Sequence, residues 1–387
     1  SIPCMSLLSH RLLSRCVWRG TSKLISVEGC SREEWRERDR RREQRSNRFE
    51  WKRAGRIGGS ILAMSWMITL KDMLGIEKVK LDDDPLKDKI KQSWLQRKHG
   101  AYEEAVKILH EALQEARERK EEIAVTRITD ELANTYYEKG DLEEAEKCFR
   151  EALQRLVSLH ALKDGDPIFI GISLKLADLL ARRGRVDDAE TGFMHCLRKQ
   201  MKVVDEHLAK NSVARGAMVE DRHIVDTMGA AHSDPLALFG MCLDGYARFI
   251  VMYRDEKRLN EADEYMGEVM KISYQIYGSR TAHSVHMASN FGTLCVMRNR
   301  FELAKKYLSI AADRAVHIDE CAPILPTLYC SYAEALFHCG DKEKALEWAR
   351  RALSISRPSD EKTRKYVAQF VSDLERDMGR RKRFYFF

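Results

Sequence analysis

The sequence predicts an all-α protein, a right-handed solenoid of about six helical hairpins closed by a C-terminal capping helix. Three observations point there. A frame of small and apolar residues recurs with a period near 40, Pro is scarce at seven in 387 residues, and 33 % charged residues accompany 44 % hydrophobic ones. A repeat of that length made of paired helices marks an array in which each unit buries its surplus apolar face on its neighbours.

The cleanest copy is Gly140–Leu153, G-D-L-E-E-A-E-K-C-F-R-E-A-L. Taken as a helix, Leu142, Ala145, Phe149, Ala152 and Leu153 fall on one face. Gly140 suits the turn into it, and Asp141, Glu143 and Glu144 place negative charge at its positive end. Upstream, Leu132, Ala133 and Tyr136 form a matching stripe. The frame G-x-x-x-x-A-x-x-x-[large]-x-x-[small]-[apolar] returns, with departures, from Gly100, Gly184, Lys257, Asn299 and Gly340. This frame resembles the tetratricopeptide repeat, usually about 34 residues. Its longer period is similar to the kinesin-light-chain type, and Ile276–Ala311 resembles that subtype most.

In chain order, residues 1–56 read as a mitochondrial presequence and a disordered, charged spacer. Arg11, Arg15, Arg19 and Lys23 stand among Ser and Leu, with no acidic residue before Glu28. Residues 1–53 carry 14 Lys/Arg against seven Asp/Glu, so the +7 net charge lies wholly there. The repeats are therefore neutral in sum, which argues against nucleic acid as a partner. Residues 57–70 hold no charge; as a helix they would span ~21 Å against ~30 Å of bilayer core, a short anchor or inner-membrane contact. Asp84-Pro85 opens the array, expected over 86–357. The 73-residue step from Gly184 to Lys257 implies an insertion at about 198–235. Within it Arg198–Lys210 continues a helix, 211–234 forms a loop, and helix resumes after Pro235. Residues 358–378 give the capping helix, with Tyr366, Val367, Phe370, Val371 and Leu374 as its apolar stripe, and 379–387 a basic and aromatic tail.

Chemistry is sparse. No phosphate-binding loop, nucleophile elbow or H-E-x-x-H occurs in a usable context. Ten Cys include no C-x-x-C pair. Cys148, Cys196 and Cys295 occupy small apolar positions on helix faces, and His283 with His286 lacks a third ligand, so cap and core roles are expected. No catalytic set, cofactor or metal is expected. What remains is surface. In tetratricopeptide arrays the first helix of each pair lines a groove that takes an extended peptide or a helix. That register offers Arg127, Asp130, Asn134 and Tyr137; then Leu174, Lys175, Asp178 and Arg182; then Thr327, Cys330, Glu334 and Phe337. Asn134 matches the Asn of carboxylate-clamp repeats, but Asp130 replaces their Lys, which disfavours a chaperone-tail ligand.

Ile172–Phe193 and Gly240–Ile250, G-M-C-L-D-G-Y-A-R-F-I, with the insertion between them, resemble the mitochondrial tetratricopeptide repeat protein 19 family over roughly residues 86–357. The resemblance implies a non-enzymatic inner-membrane protein that supports respiratory complex III. It implies protein partners: complex III subunits, and the Rieske protein or fragments whose clearance it aids. A cytosolic kinesin-light-chain-like or cytokinesis scaffold is the alternative.

Overall fold

Apolar residues at three- and four-residue steps, few prolines and a turn-forming residue near every fortieth position leave the chain one economical solution, stacked helix pairs. The computed structural model describes residues 84–212 and 230–384, with side chains over 84–207 and 235–378. Among these there is no strand. The expected presequence and spacer, the 57–70 segment and the end of the tail lie outside the described residues.

Six hairpins follow in order: α1 (Pro85–Lys98) with α2 (Tyr102–Glu118), α3 (Glu122–Lys139) with α4 (Leu142–Ser158), and α5 (Pro167–Arg182) with α6 (Val186–Ser212). Next come α7 (Ala230–Tyr253) with α8 (Leu259–Tyr277), α9 (Ala282–Met297) with α10 (Phe301–Ala315), and α11 (Leu325–His338) with α12 (Lys342–Ile355). Helix α13 (Glu361–Phe384) closes the array against α12 and α11. The fold is a tetratricopeptide-repeat solenoid.

Local chemistry sets the helix boundaries. Asp84 accepts from the Leu86 amide at 3.1 Å ahead of Pro85, and Asp141 caps α4 by accepting from the Glu144 amide. Gly140 ends α3 at φ +92°, a left-handed conformation a side chain resists. Asn299 takes the same role at φ +58°, as Asn can, whereas Lys257 sits in a 3-10 turn, Glu256–Arg258, and so replaces the glycine turn with another geometry. Asp360 starts α13 by accepting from the Thr363 amide at 3.0 Å.

The frame residues form the core. Ala105, Ala112, Ala145, Phe149, Ala152, Ala189, Phe193 and Cys196 are almost wholly buried. Small residues set the helix separations: a Cβ on Gly292 of α9 would lie 2.5 Å from Leu308 Cγ of α10. Phe193, Phe249, Tyr246 and Tyr265 join α6, α7 and α8 through ring centroids 5.2–6.4 Å apart. Residues Pro235–Tyr253 are long and apolar enough to cross a membrane by composition alone, yet 72 % of that window is buried within the fold, as suits a core helix.

Three expectations are corrected. Helix α7 begins at Ala230, with Pro235 inside it, because Leu236, Leu238 and Phe239 are buried and hold the turn that one missing N–H weakens. The capping helix runs to Phe384 rather than Met378. In its stripe only Val367, Val371 and Leu374 are buried; they lie at i, i+4 and i+7, while Tyr366 falls off that line and is 51 % exposed. Helix α6 does extend through the expected 198–210, and Gln200 anchors it by donating to the Gly165 carbonyl at 2.9 Å. The middle of the insertion, 213–229, lies outside the described residues.

Candidate functional site, a row of first helices

Among the first helices, α1 packs beside α3, α5 beside α7, α7 beside α9 and α9 beside α11, and α3 meets α5 through the Lys175–Asn134 hydrogen bond. Residues at three- and four-residue steps along each of them share one face of the helix. Buried Arg97 of α1 begins the row, 3.0 Å from Glu131 and 3.3 Å from Glu138 of α3.

Between α3 and α5 the expected residues gather into two clusters. In the first, Lys175 donates to Asn134 Oδ1 at 2.9 Å and lies 3.7 Å from Asp130. Burial pushes the Asp130 carboxyl above its ordinary value, and the Lys175 ammonium opposes that rise. In the second, the Tyr137 hydroxyl donates to Asp178, Arg182 Nε meets Asp178 at 2.9 Å, and the Arg182 guanidinium lies 4.5 Å over the Tyr137 ring. Burial, then Asp178, push Tyr137 far above the usual phenol range, so it stays a donor. The structure thus brings Asp130, Asn134 and Lys175 together, and Tyr137, Asp178 and Arg182 together. Arg127 is exposed on α3 and joins neither cluster. Glu334 and Phe337 lie on α11, where Glu334 pairs with His338 at 3.1 Å and Phe337 meets the His338 ring edge-on. Of the other register positions, Leu174 and Cys330 are buried and Thr327 is exposed.

Sequence reasoning missed two features. On α7, Asp244 and Arg248 hold the positions equivalent to Asp130 and Asn134. Arg248 Nε donates to Asp244 Oδ2 at 2.7 Å. The signal was the altered turn at Lys257, which displaces the frame relative to its helix; counting back from the end of α7 finds the pair. The second feature is a set of ionic staples between consecutive hairpins. Glu146, six residues after Gly140, binds Arg183 and, at 3.1 Å, Arg185 from the next hairpin's turn. Glu190, six after Gly184, binds Arg254, Arg258 at 2.7 Å and the Tyr246 hydroxyl at 2.7 Å. Asp263, six after Lys257, takes Lys306 at 2.7 Å and Tyr307 at 2.9 Å. Burial would raise the Glu146 and Glu190 carboxyls, but these donors win and hold both below the ordinary value.

Among the described residues no group of three or more His, Cys, Asp and Glu could hold a metal. Burial lifts the Cys196, Cys295 and Cys330 thiols to about 12, which keeps them protonated and poorly nucleophilic. His283 packs 4.1 Å from the Tyr277 ring; burial, together with His286, lowers its pKa, and burial lowers that of His286.

The tetratricopeptide repeat family models agree with this architecture. Tetratricopeptide repeat family models match residues 130–156, 173–191 and 326–358. The Homo sapiens protein named tetratricopeptide repeat protein 19, mitochondrial, is 28 % identical over 275 residues, covering 71 % of this chain and 68 % of that protein. Its Mus musculus counterpart is 27 % identical over 293 residues, 75 % of each chain. The Drosophila melanogaster homolog is 24 % identical over 261 residues, 67 % of this chain and 64 % of that one. Among solved structures, BtubC (BKLC) from P. vanneervenii gives a TM-score of 0.47 at 21 % identity over 66 % of this chain and 91 % of its own. The assembly chaperone of RpL4 (Acl4) gives 0.45 at 16 %, over 78 % and 99 %. The resemblance to the mitochondrial tetratricopeptide repeat protein 19 family therefore extends along most of the described array.

Proposed function

We propose that this chain is a non-enzymatic mitochondrial adaptor that supports respiratory complex III at the inner membrane. It binds the complex and aids clearance of Rieske subunit fragments, with the row of first helices as its holding surface. The observation that carries this reading is the likeness, over 275 residues, to proteins named mitochondrial. The local geometry supports it. Asp130, Asn134, Lys175, Tyr137, Asp178 and Arg182 are positioned by one another, which lowers the entropy lost when a partner docks on them. Residues 1–56 would direct import, and 57–70 would supply the membrane contact.

Deletion of the protein is expected to raise the level of Rieske fragments, and the chain is expected to co-migrate with complex III in mild detergent. Normal fragment levels in the deletion strain would sink the proposal. A reporter fused to residues 1–80 that stays cytosolic would favour a kinesin-light-chain-like scaffold instead.

A further inference from the structure

The ends of the hairpins away from the staples carry exposed apolar side chains. There the first helices begin and the second helices finish, joined by the loops 119–121 and 159–166. Ile123 near the start of α3 is 75 % exposed, Val157 and Leu159 at the end of α4 are each 52 %, and Ile168 near the start of α5 is 42 %. Polar contacts fix these ends against one another. Arg155 of α4 donates to the Thr126 hydroxyl of α3 at 3.1 Å, His160 meets the same hydroxyl at 2.9 Å, and Gln200 of α6 holds the loop ahead of α5. The apolar tips are therefore displayed on a fixed frame, and together they cost solvation free energy unless something covers them.

The charges at this edge are sorted by sign. Glu121 lies 3.8 Å from Arg119, Glu122 is bound by Arg155, Asp164 meets Lys199 at 2.6 Å, and Asp166 accepts from the Lys163 amide at 2.6 Å. Among the described residues, the exposed side chains of Lys120 and Lys163 have no acidic partner. The acids are engaged, and two ammonium groups are left for an anion from outside. The chain also enters the array at this edge, since Asp84 ahead of α1 lies 3.3 Å from Arg119 just past α2. The uncharged residues 57–70 are joined to Asp84 by 13 residues, which reach at most about 45 Å. The turn edge stands a helix length, roughly 25 Å, farther off.

We propose that this edge rests on an anionic lipid surface. Ile123, Val157, Leu159 and Ile168 enter the headgroup region, and Lys120 and Lys163 meet lipid phosphates above them. Lysine suits that place, because its stem buries methylenes while the ammonium stays at the polar boundary. A bilayer is apolar within and anionic at its face, which matches apolar tips flanked by unpaired Lys. Single side chains at a membrane bind weakly, so the edge acts as a second contact beside 57–70. The two contacts together stand the first helices on the membrane by their starts and keep the staples on the aqueous side. The proposal deepens the adaptor reading and rests on it only in placing the chain at a membrane.

The test uses the full chain with vesicles of equal parts phosphatidylcholine and phosphatidylglycerol, and with vesicles of phosphatidylcholine alone. Residues 1–53 carry the whole +7 charge and can hold any variant on the anionic vesicles, so the readout is local. Hydrogen exchange of the backbone amides in 119–124 and 157–168 should slow at least about fivefold on the anionic vesicles, with amides of the turns 99–101 and 183–185 unchanged. Ile123→Ser with Leu159→Ser, both exposed, should abolish the slowing. Lys120→Gln with Lys163→Gln should reduce it. Leu95→Ser with Met297→Ser removes exposed apolar side chains near the turn edge and should leave it intact. The proposal is overturned if the edge amides do not slow, if phosphatidylcholine alone slows them equally, if the Lys pair has no effect, or if the Leu95 and Met297 pair acts as strongly as the Ile123 and Leu159 pair. Absent slowing together with complex III co-migration lost in the Ile123 and Leu159 pair would make the patch a protein contact instead. If the edge amides slow and Rieske fragments stay normal in the deletion strain, the adaptor proposal fails and the membrane edge stands.

Discussion

The turn edge and the row of first helices are both polar and both rich in arginine, yet they are finished differently. At the turns Glu146 and Glu190 each collect several donors, and Arg185 and Arg258 use every nitrogen they have, although Nε of Arg254 in the Glu190 staple is buried without a partner. In the row, Arg97 is engaged through Nη1 and Nε, whereas Arg182, Arg248 and Arg298 are anchored by Nε, with the Arg182 guanidinium also lying over the Tyr137 ring. Saturation serves cohesion, because a closed network fixes the register between hairpins. The remaining nitrogens of Arg182 and Arg298 are on exposed residues, where water completes them at little cost.

Four measurements would break or sharpen that contrast. The largest effect is expected where neither network acts and backbone separation decides. Gly292→Ala places a Cβ 2.5 Å from Leu308 Cγ and 3.3 Å from its backbone nitrogen, so α9 and α10 must part. A loss of about 3 kcal/mol in urea unfolding is expected, and a loss near zero would show that the hairpin is loosely packed. Next, Glu190→Ala strands Arg254, Arg258 and Tyr246 together. It should cost about 2 kcal/mol, and an unchanged midpoint would remove the staples from any account of stability. Third, Lys175→Ala leaves the Asp130 carboxylate without its cation and should cost about 1 kcal/mol, with Asp130→Asn restoring part of it in the double variant.

The smallest effect is a pH dependence with a separate window for each region. Glu146 and Glu190 have folded values below 4.5, so their stabilisation is complete above 4.5 and is lost as pH falls through those lower values. His283 and His286 have folded values below 6.5, so the stability they preserve is present above 6.5 and declines at lower pH as both must charge. His283 faces Tyr277, His286 and Asp244. A melting temperature that falls between pH 7 and pH 5.5 and flattens in the His283→Gln, His286→Gln double variant is the expected result. An unchanged slope would place the effect elsewhere.

Much of the scaffold was legible because one amphipathic frame is repeated. Ala105, Ala145, Ala189, Ala262, Ala304 and Ala345 stand at the same frame position and are all buried. The candidate site was legible only in pieces. Asp130 with Lys175 and Tyr137 with Asp178 are separated by 45 and 41 residues, and only the packing of α3 beside α5 makes them neighbours. Asp244 and Arg248 were hidden by the 3-10 turn that replaces the glycine turn. Tyr366 misled because its apolar character fits a stripe that its helical angle does not meet.

The sequence by itself determined the hairpin count, the turn positions and most of the residues facing inward. These follow from local periodicity and from backbone preferences that neighbouring residues set among themselves. The tertiary structure alone decided which charges are closed and which are open. Saturation of a guanidinium depends on what the next hairpin brings within about 3 Å, and that distance is fixed by helix packing rather than by spacing along the chain.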